Sequence, residues 1–172
     1  SRSDCVGKVM VAPGNGGMSD EFEAHDLNIE DNSEIVRLAK AQQVDLVVVG
    51  PEVPLCNGAV DALNEAGILA YGPDRAGARL EGSKAYTKDF LNKYGIPTAA
   101  YGNFSDIEPA LAYLGKLALP VVVKASGLAA GKGVLICQTL EEAEEAVRDM
   151  LAGESFGDSG KEVVIEEFLE GE

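Results

Sequence analysis

Lys124 and Lys132 bracket the most chemically suggestive stretch of the chain, Val121–Val134 (VVVKASGLAAGKGV). Its apolar run reads as a strand ending in Lys124. A loop of small residues then carries Lys132 between Gly131 and Gly133. Glycines let the backbone approach a ligand closely, and successive N–H groups in such a loop form an anion-binding concavity. Two ammonium groups at its margins place positive charge where polyphosphate oxygens could sit. A lysine projecting from an apolar strand also requires an anionic partner or a route to water. The loop is not a Walker A motif, because Gly127 and Gly131 enclose three residues and Gly133, not Ser or Thr, follows Lys132. A GxGxxG dinucleotide fingerprint is absent as well. Taken alone, these residues equally admit a glycine-rich hairpin loop with a solvated lysine.

Elsewhere positive charge is scarce. The 172 residues carry 29 Asp and Glu against 14 Lys and Arg, for a net charge of −15. Duplex nucleic acid and anionic lipid are bound mainly through Lys and Arg, so neither is an expected partner. Three cysteines (Cys5, Cys56, Cys137) lie far apart with no CxxC, which supports neither a disulfide framework nor a thiolate zinc site. With His25 the single histidine, a Ser-His-Asp or Cys-His mechanism is hard to assemble. The sequence shows neither an apolar run long enough to span a bilayer nor the layout of a signal peptide, so a soluble, cytoplasmic protein is expected.

The elements that must position these groups alternate between β-branched runs and helical patterns, the signature of an α/β fold with a largely parallel sheet. Lys8–Ala12, Asp45–Val49 and Ile68–Tyr71 read as strands, the second apolar on both faces and hence central. Helices are expected over Ser33–Gln43, with Asn32 or Ser33 as N-cap, and over Ala59–Ala66, stopped at Gly67. A second unit opens with a helix over Ser83–Tyr94 capped by Ser83. Two S/T-x-x-E capping boxes, Ser105–Glu108 and Thr139–Glu142, open helices over Asp106–Leu117 and Leu140–Ala152. Pro120–Ala125, Val134–Cys137 and Val163–Phe168 complete the strands, and residues 153–160 are the most loop-like stretch. As residues, VVIEEF reads as an edge strand with solvated acids.

These blocks, in order, resemble the glycinamide ribonucleotide synthetase (phosphoribosylamine–glycine ligase) family of the ATP-grasp superfamily. The resemblance rests on VAPGN (Val11–Asn15), DLVVVGPEVPL (Asp45–Leu55), LEGSKAYTKDFL (Leu80–Leu91), GIPTA (Gly95–Ala99), KASGLAAGKGV (Lys124–Val134), FGDSG (Phe156–Gly160) and VVIEEFLEGE (Val163–Glu172). It implies a Rossmann-like pre-ATP-grasp unit with a truncated parallel sheet over residues 1–80, then the first part of an ATP-grasp domain over 81–172. It also implies ATP-dependent ligation of glycine to phosphoribosylamine through glycyl phosphate in purine synthesis, with Mg²⁺ as metal and Mn²⁺ a candidate substitute.

Residue by residue, the resemblance places Lys84 and Lys124 on the ATP phosphates and folds Gly127–Gly133, including Gly131, Lys132 and Gly133, over them as a flap. Glu166, Glu167, Phe168 and Leu169 would run along the adenine edge, with the Glu167 carbonyl and Leu169 N–H reading the base. Gly14, Asn15, Gly50, Pro51 and Glu52 would line the phosphoribosylamine site, at strand ends where open α/β sheets bind ligands. As residues alone, those Gly-Pro and Gly-Asn pairs are equally turns joining strand to helix. The family pattern begins earlier, with a strand and a G-G-R-E-H loop, and continues into a ribose-binding acid, a glycine site and metal ligands. An internal fragment, inactive alone and with no metal ligands of its own, is therefore expected. The alternatives are another ATP-grasp ligase or carboxylase, and a nucleotide-binding module without turnover.

Overall fold

In the computed structural model the described residues are 3–18, 21–129, 131–152 and 156–171. Ala130 of the glycine loop, residues 153–155 of the loop-like stretch and Glu172 of the last block lie outside them. Packing divides the chain into two compact units, Ser1–Ala78 and Arg79–Glu172. Among the described residues no helix is long and apolar enough to cross a membrane.

In the first unit, strands β1 (Met10–Val11) and β2 (Glu23–Ala24) pair in parallel, as do β3 (Val47–Val48) and β4 (Ala70–Tyr71). Helix α1 (Asn32–Ala41) is capped one residue earlier than expected, because Asp31 Oδ1 accepts from Ser33 N at 2.8 Å and from Glu34 N. Helix α2 (Glu52–Asn57) was not legible from the sequence. It passes to α3 (Ala59–Glu65) through Gly58, whose φ of +88° suits glycine. Ile35, Ala39, Ala59 and Leu63 form the core here, with Val47 and Ala70 packed against it. Strand period two then turns Val48 and Tyr71 outward, 65% and 71% exposed. The expectation that Asp45–Val49 forms a central strand is not met among the described residues, where β3 pairs with β4 alone.

The second unit is a four-stranded sheet in the order β5 (Tyr101–Phe104), β8 (Val163–Glu167), β6 (Val121–Ala125), β7 (Val134–Cys137), antiparallel throughout. The parallel pairing expected from the alternation holds only in the first unit. VVIEE is not an edge strand: β8 sits between β5 and β6. Helices α6 (Ile107–Leu114) and α7 (Leu140–Ala152) cover one face over Val121, Val123, Ala125, Val163 and Ile165. The Thr139–Glu142 capping box forms, with Glu142 N donating to Thr139 Oγ1 and Thr139 N to Glu142 Oε2. The Ser105–Glu108 box does not form, because Asp106 takes the N-cap position without a side-chain hydrogen bond. Helix α4 (Arg75–Gly82) precedes α5 (Lys84–Lys93), which Ser83 caps through Tyr86 N.

Candidate functional site

Alternation along β6 and β8 assigns the polar side chains to the face opposite α6 and α7. Since Val121, Val123 and Ala125 point into that core, Lys124 points away from it; by the same period Glu166 points away from Val163 and Ile165. Val122 lies opposite Glu166 and Lys124 opposite Val164, so Lys124 and Glu166 are diagonal neighbours, within reach for long side chains. Lys124 Nζ lies 2.8 Å from Glu166 Oε1. The other carboxylate oxygen, Oε2, lies 3.0 Å from Nζ of Lys88 on α5. Lys88 and Glu166 are 8% and 5% exposed.

The N-terminus of α5 is stitched to the end of β6. Lys84 N donates to Ser126 O (2.8 Å) and Ala85 N to Ser126 Oγ (3.1 Å), while Ser83 Oγ lies 3.3 Å from Ser126 Oγ. These bonds satisfy helix amides that would otherwise lack partners, and they bring Lys84 to the start of the glycine loop. Lys84 Nζ donates to Gly127 O at 3.0 Å. Burial lowers the Lys84 pKa below the ordinary lysine value, nearby Lys124 lowers it further, and Glu81 opposes both. Three lysines and one carboxylate thus share a half-buried patch in a strongly acidic chain. A polyanion would relieve the repulsion between them.

The glycine loop is fastened at its beginning. Gly127 N donates to Ser159 O (3.1 Å) and Ser126 N to Glu162 O (2.8 Å), while Ser159 Oγ donates to Leu128 O (2.5 Å). A Cβ on Gly127 would stand 2.7 Å from Ser159 Cα, so the 3₁₀ turn Gly157–Gly160 needs glycine there. Gly131 has a φ of +79°, and Lys132 beside it is exposed. Glu167 faces away from the lysines; its carboxylate accepts from Ala100 N at 2.8 Å. Beyond β8, Phe168 and Leu169 are 38% and 63% exposed.

Of the expected nucleotide residues, the structure therefore gathers Lys84, Lys124, Gly127 and Glu166. It leaves Lys132, Phe168 and Leu169 on the surface and turns Glu167 to the other face. Lys88, Ser126 and Ser159 were missed by sequence reasoning. For Lys88 a signal existed: it stands four residues after Lys84, on the same helix face, next to apolar positions.

The first-unit candidates lie just after strand ends. Gly14 follows β1 closely enough to β2 that a Cβ would stand 2.5 Å from Ala24 Cβ. Asn15 Oδ1 is engaged by Gly17 N at 3.0 Å. Gly50 faces open space after β3, Pro51 caps α2, and Glu52 is exposed in its first turn. Glu52 thus begins a helix rather than merely closing a turn. Among the described residues, no cluster of three or more His, Cys, Asp or Glu could hold a metal ion.

Comparison with known proteins extends over both units. The model of the phosphoribosylglycinamide synthetase N domain matches residues 1–81, and that of the phosphoribosylglycinamide synthetase ATP-grasp (A) domain matches residues 82–172. A phosphoribosylamine–glycine ligase of Vibrio vulnificus (strain YJ016) is 59% identical over 169 residues, covering 97% of this chain and 39% of its own length. The Haemophilus influenzae counterpart is 55% identical over 174 residues, covering 100% and 41%. The crystal structure of phosphoribosylamine–glycine ligase from Thermotoga maritima superposes with a TM-score of 0.77 at 33% identity, over 96% of this chain and 39% of its own. A biotin carboxylase domain of 2-oxoglutarate carboxylase from Hydrogenobacter thermophilus, solved with MgADP, ADP and bicarbonate, gives a TM-score of 0.71 at 26% identity, over 89% of this chain and 36% of its own. The chain spans 39–41% of the length of these curated relatives.

Proposed function

The chain belongs to the phosphoribosylglycinamide synthetase family, and from that premise we propose that its second unit holds ATP for the ligation of glycine to phosphoribosylamine. The observation that carries this reading is the convergence of Lys84 and Lys124 on one sheet face beside the glycine loop. Such a patch fits a triphosphate, whose charge would offset the burial and the Lys124 repulsion that together lower the Lys84 pKa.

Bound ATP would supply the phosphoryl group that activates a carboxylate for attack by an amine. The part of this chain is to bind and orient. Lys84 and Lys124 neutralise phosphate oxygens, and Gly127, Gly131, Lys132 and Gly133 close over them. Glu166, Glu167, Phe168 and Leu169 carry the adenine edge, where the Glu167 carbonyl and Leu169 N–H are the base-reading groups. Catalysis of phosphoryl transfer rests largely on such positioning and charge neutralisation. Gly14, Asn15, Gly50, Pro51 and Glu52 are assigned to phosphoribosylamine; Glu52 is exposed and can accept from ribose hydroxyls. Mg²⁺ enters with the nucleotide, and no metal ligand is assigned to these residues.

The test is a chimera in which this chain replaces the 169 matched residues of the Vibrio vulnificus ligase. ADP release that requires both glycine and phosphoribosylamine is the expected outcome. The Lys124→Met chimera should lose tenfold or more in kcat/KM for ATP, since a charge-assisted contact contributes about 1.5–3 kcal/mol. Turnover that ignores glycine, or a Lys124→Met chimera with unchanged kinetics, would refute the assignment.

A further inference from the structure

Lys88 is a buried cation for which the nucleotide reading has no direct use. Its Nζ lies 3.0 Å from Glu166 Oε2 and donates to Thr98 Oγ1 (2.6 Å) and Ala99 O (3.4 Å). An ammonium has three N–H groups, so these acceptors leave none for a ligand. The Tyr101 ring, 5.6 Å from Nζ, closes another side. Both Glu166 oxygens are engaged as well, one by Lys88 and the other by Lys124.

The charge arithmetic separates a structural role from a functional one. Glu166 and Lys124 alone would form a neutral pair with little attraction for phosphate. With Lys88 bound to the far oxygen, the trio carries a net positive charge, and its exposed end is Lys124, whose side chain is 25% exposed against 11% for Lys88. We propose that Lys88 is a positioning residue of the nucleotide site: by holding Glu166 Oε2 it fixes the carboxylate and keeps Lys124 available to the phosphates. Lys88 acts through Glu166 and does not touch the nucleotide. This proposal rests on the ATP-binding reading above.

The experiment measures ATP and adenosine affinities by calorimetry for the wild-type chain, K88M, K88R, E166Q and K88M/E166Q. K88M should bind ATP about tenfold more weakly, while adenosine, which can meet Glu166 at the adenine edge but has no phosphates to meet Lys124, should lose distinctly less. K88R, which keeps the charge, should recover most of the loss. Equal weakening of both ligands in K88M would mark a merely structural role and overturn the proposal, as would unchanged ATP affinity. E166Q removes the buried charge that K88M strands, so the double variant keeps the test available should K88M fail to fold. In the E166Q background, loss of Lys88 should change the ATP-to-adenosine ratio less than about twofold. A further tenfold loss there would show Lys88 acting on the phosphates itself and would refute the route through Glu166. If the wild-type chain binds no ATP, the ATP reading falls on its own. A crystal structure of K88M or of the K88R variant then decides the positioning role. Glu166 leaving its place in K88M while keeping it in K88R supports that role; an unmoved Glu166 in K88M overturns it.

Discussion

Lys84 is where the electrostatics of the site become measurable. Its pKa lies below the ordinary lysine value of 10.5, first through burial and then through Lys124. Below that lowered pKa the ammonium is charged and its full attraction for phosphate is present. As pH rises through it, the proton leaves and ATP affinity should fall. ATP binding in that window should therefore take up a proton, and Lys84→Arg should move the fall to higher pH because a guanidinium stays charged. Calorimetry from neutral pH to about pH 10 in buffers of different ionisation heat checks both effects. Flat affinity and no proton uptake would contradict the placement of Lys84. Stability has its own sign: the unfolded chain binds more protons between the lowered and the ordinary pKa, so this lysine favours folding more as pH rises there. Lys124 was legible because it ends an apolar strand beside a glycine loop, whereas Lys84 was named only through the family resemblance. The Lys88–Glu166 pair was not legible, since their 78-residue separation is bridged only by the packing of α5 on β8.

At the scale of elements, the glycine loop depends on a turn distant from it in sequence. Gly160 has no room for a side chain: a Cβ would stand 2.3 Å from Met150 O and 3.0 Å from Phe156 Cβ. Gly160→Ala must push the 3₁₀ turn away from α7, and Ser159 would carry Gly127 and Leu128 with it. We expect about 1–3 kcal/mol of lost stability, as for other overpacked sites, together with weaker ATP binding. Thr139→Ala should cost about 1 kcal/mol through the lost cap while leaving ATP affinity unchanged. Chemical denaturation and calorimetry on the two variants separate these effects. An ATP affinity unaffected by Gly160→Ala would show that the loop does not need the turn.

Element legibility followed local signal. Helix α7 and strand β7 were read to the residue, because Thr139–Glu142 is a true capping box and VLIC an uninterrupted apolar run. Helix α2 was hidden by its Pro51 start and Gly58 end, α4 by its glycines, and β5 (YGNF) by its mixed composition. The antiparallel pairing of β6 with β7 was open to the hairpin reading of the glycine loop, but that of β8 with β5 and β6 was illegible, because an apolar strand carries no mark of its partner's direction.

For the whole molecule, the resemblance carried across seven blocks said more than periodicity did. Composition gave no reason to expect nucleic acid as a partner, and it could not pick out a phosphate site. The proposed site draws on Lys88 and Lys124, which flank the Glu166 carboxylate, and on Lys84 close to Lys124, inside a net charge of −15. Neither pocket chemistry nor base-reading backbone groups can be read from residue types, since both depend on which strand ends meet. The most direct measurement is side-chain ¹⁵N NMR of the lysine ammonium groups while MgATP is titrated into the 172-residue chain, with adenosine as control. Lys84 and Lys124 should shift with ATP but not with adenosine, while Lys8 and Lys40 in the first unit stay in place. ATP that moves only exposed lysines, or moves all of them alike, would contradict a phosphate site on this face of the sheet.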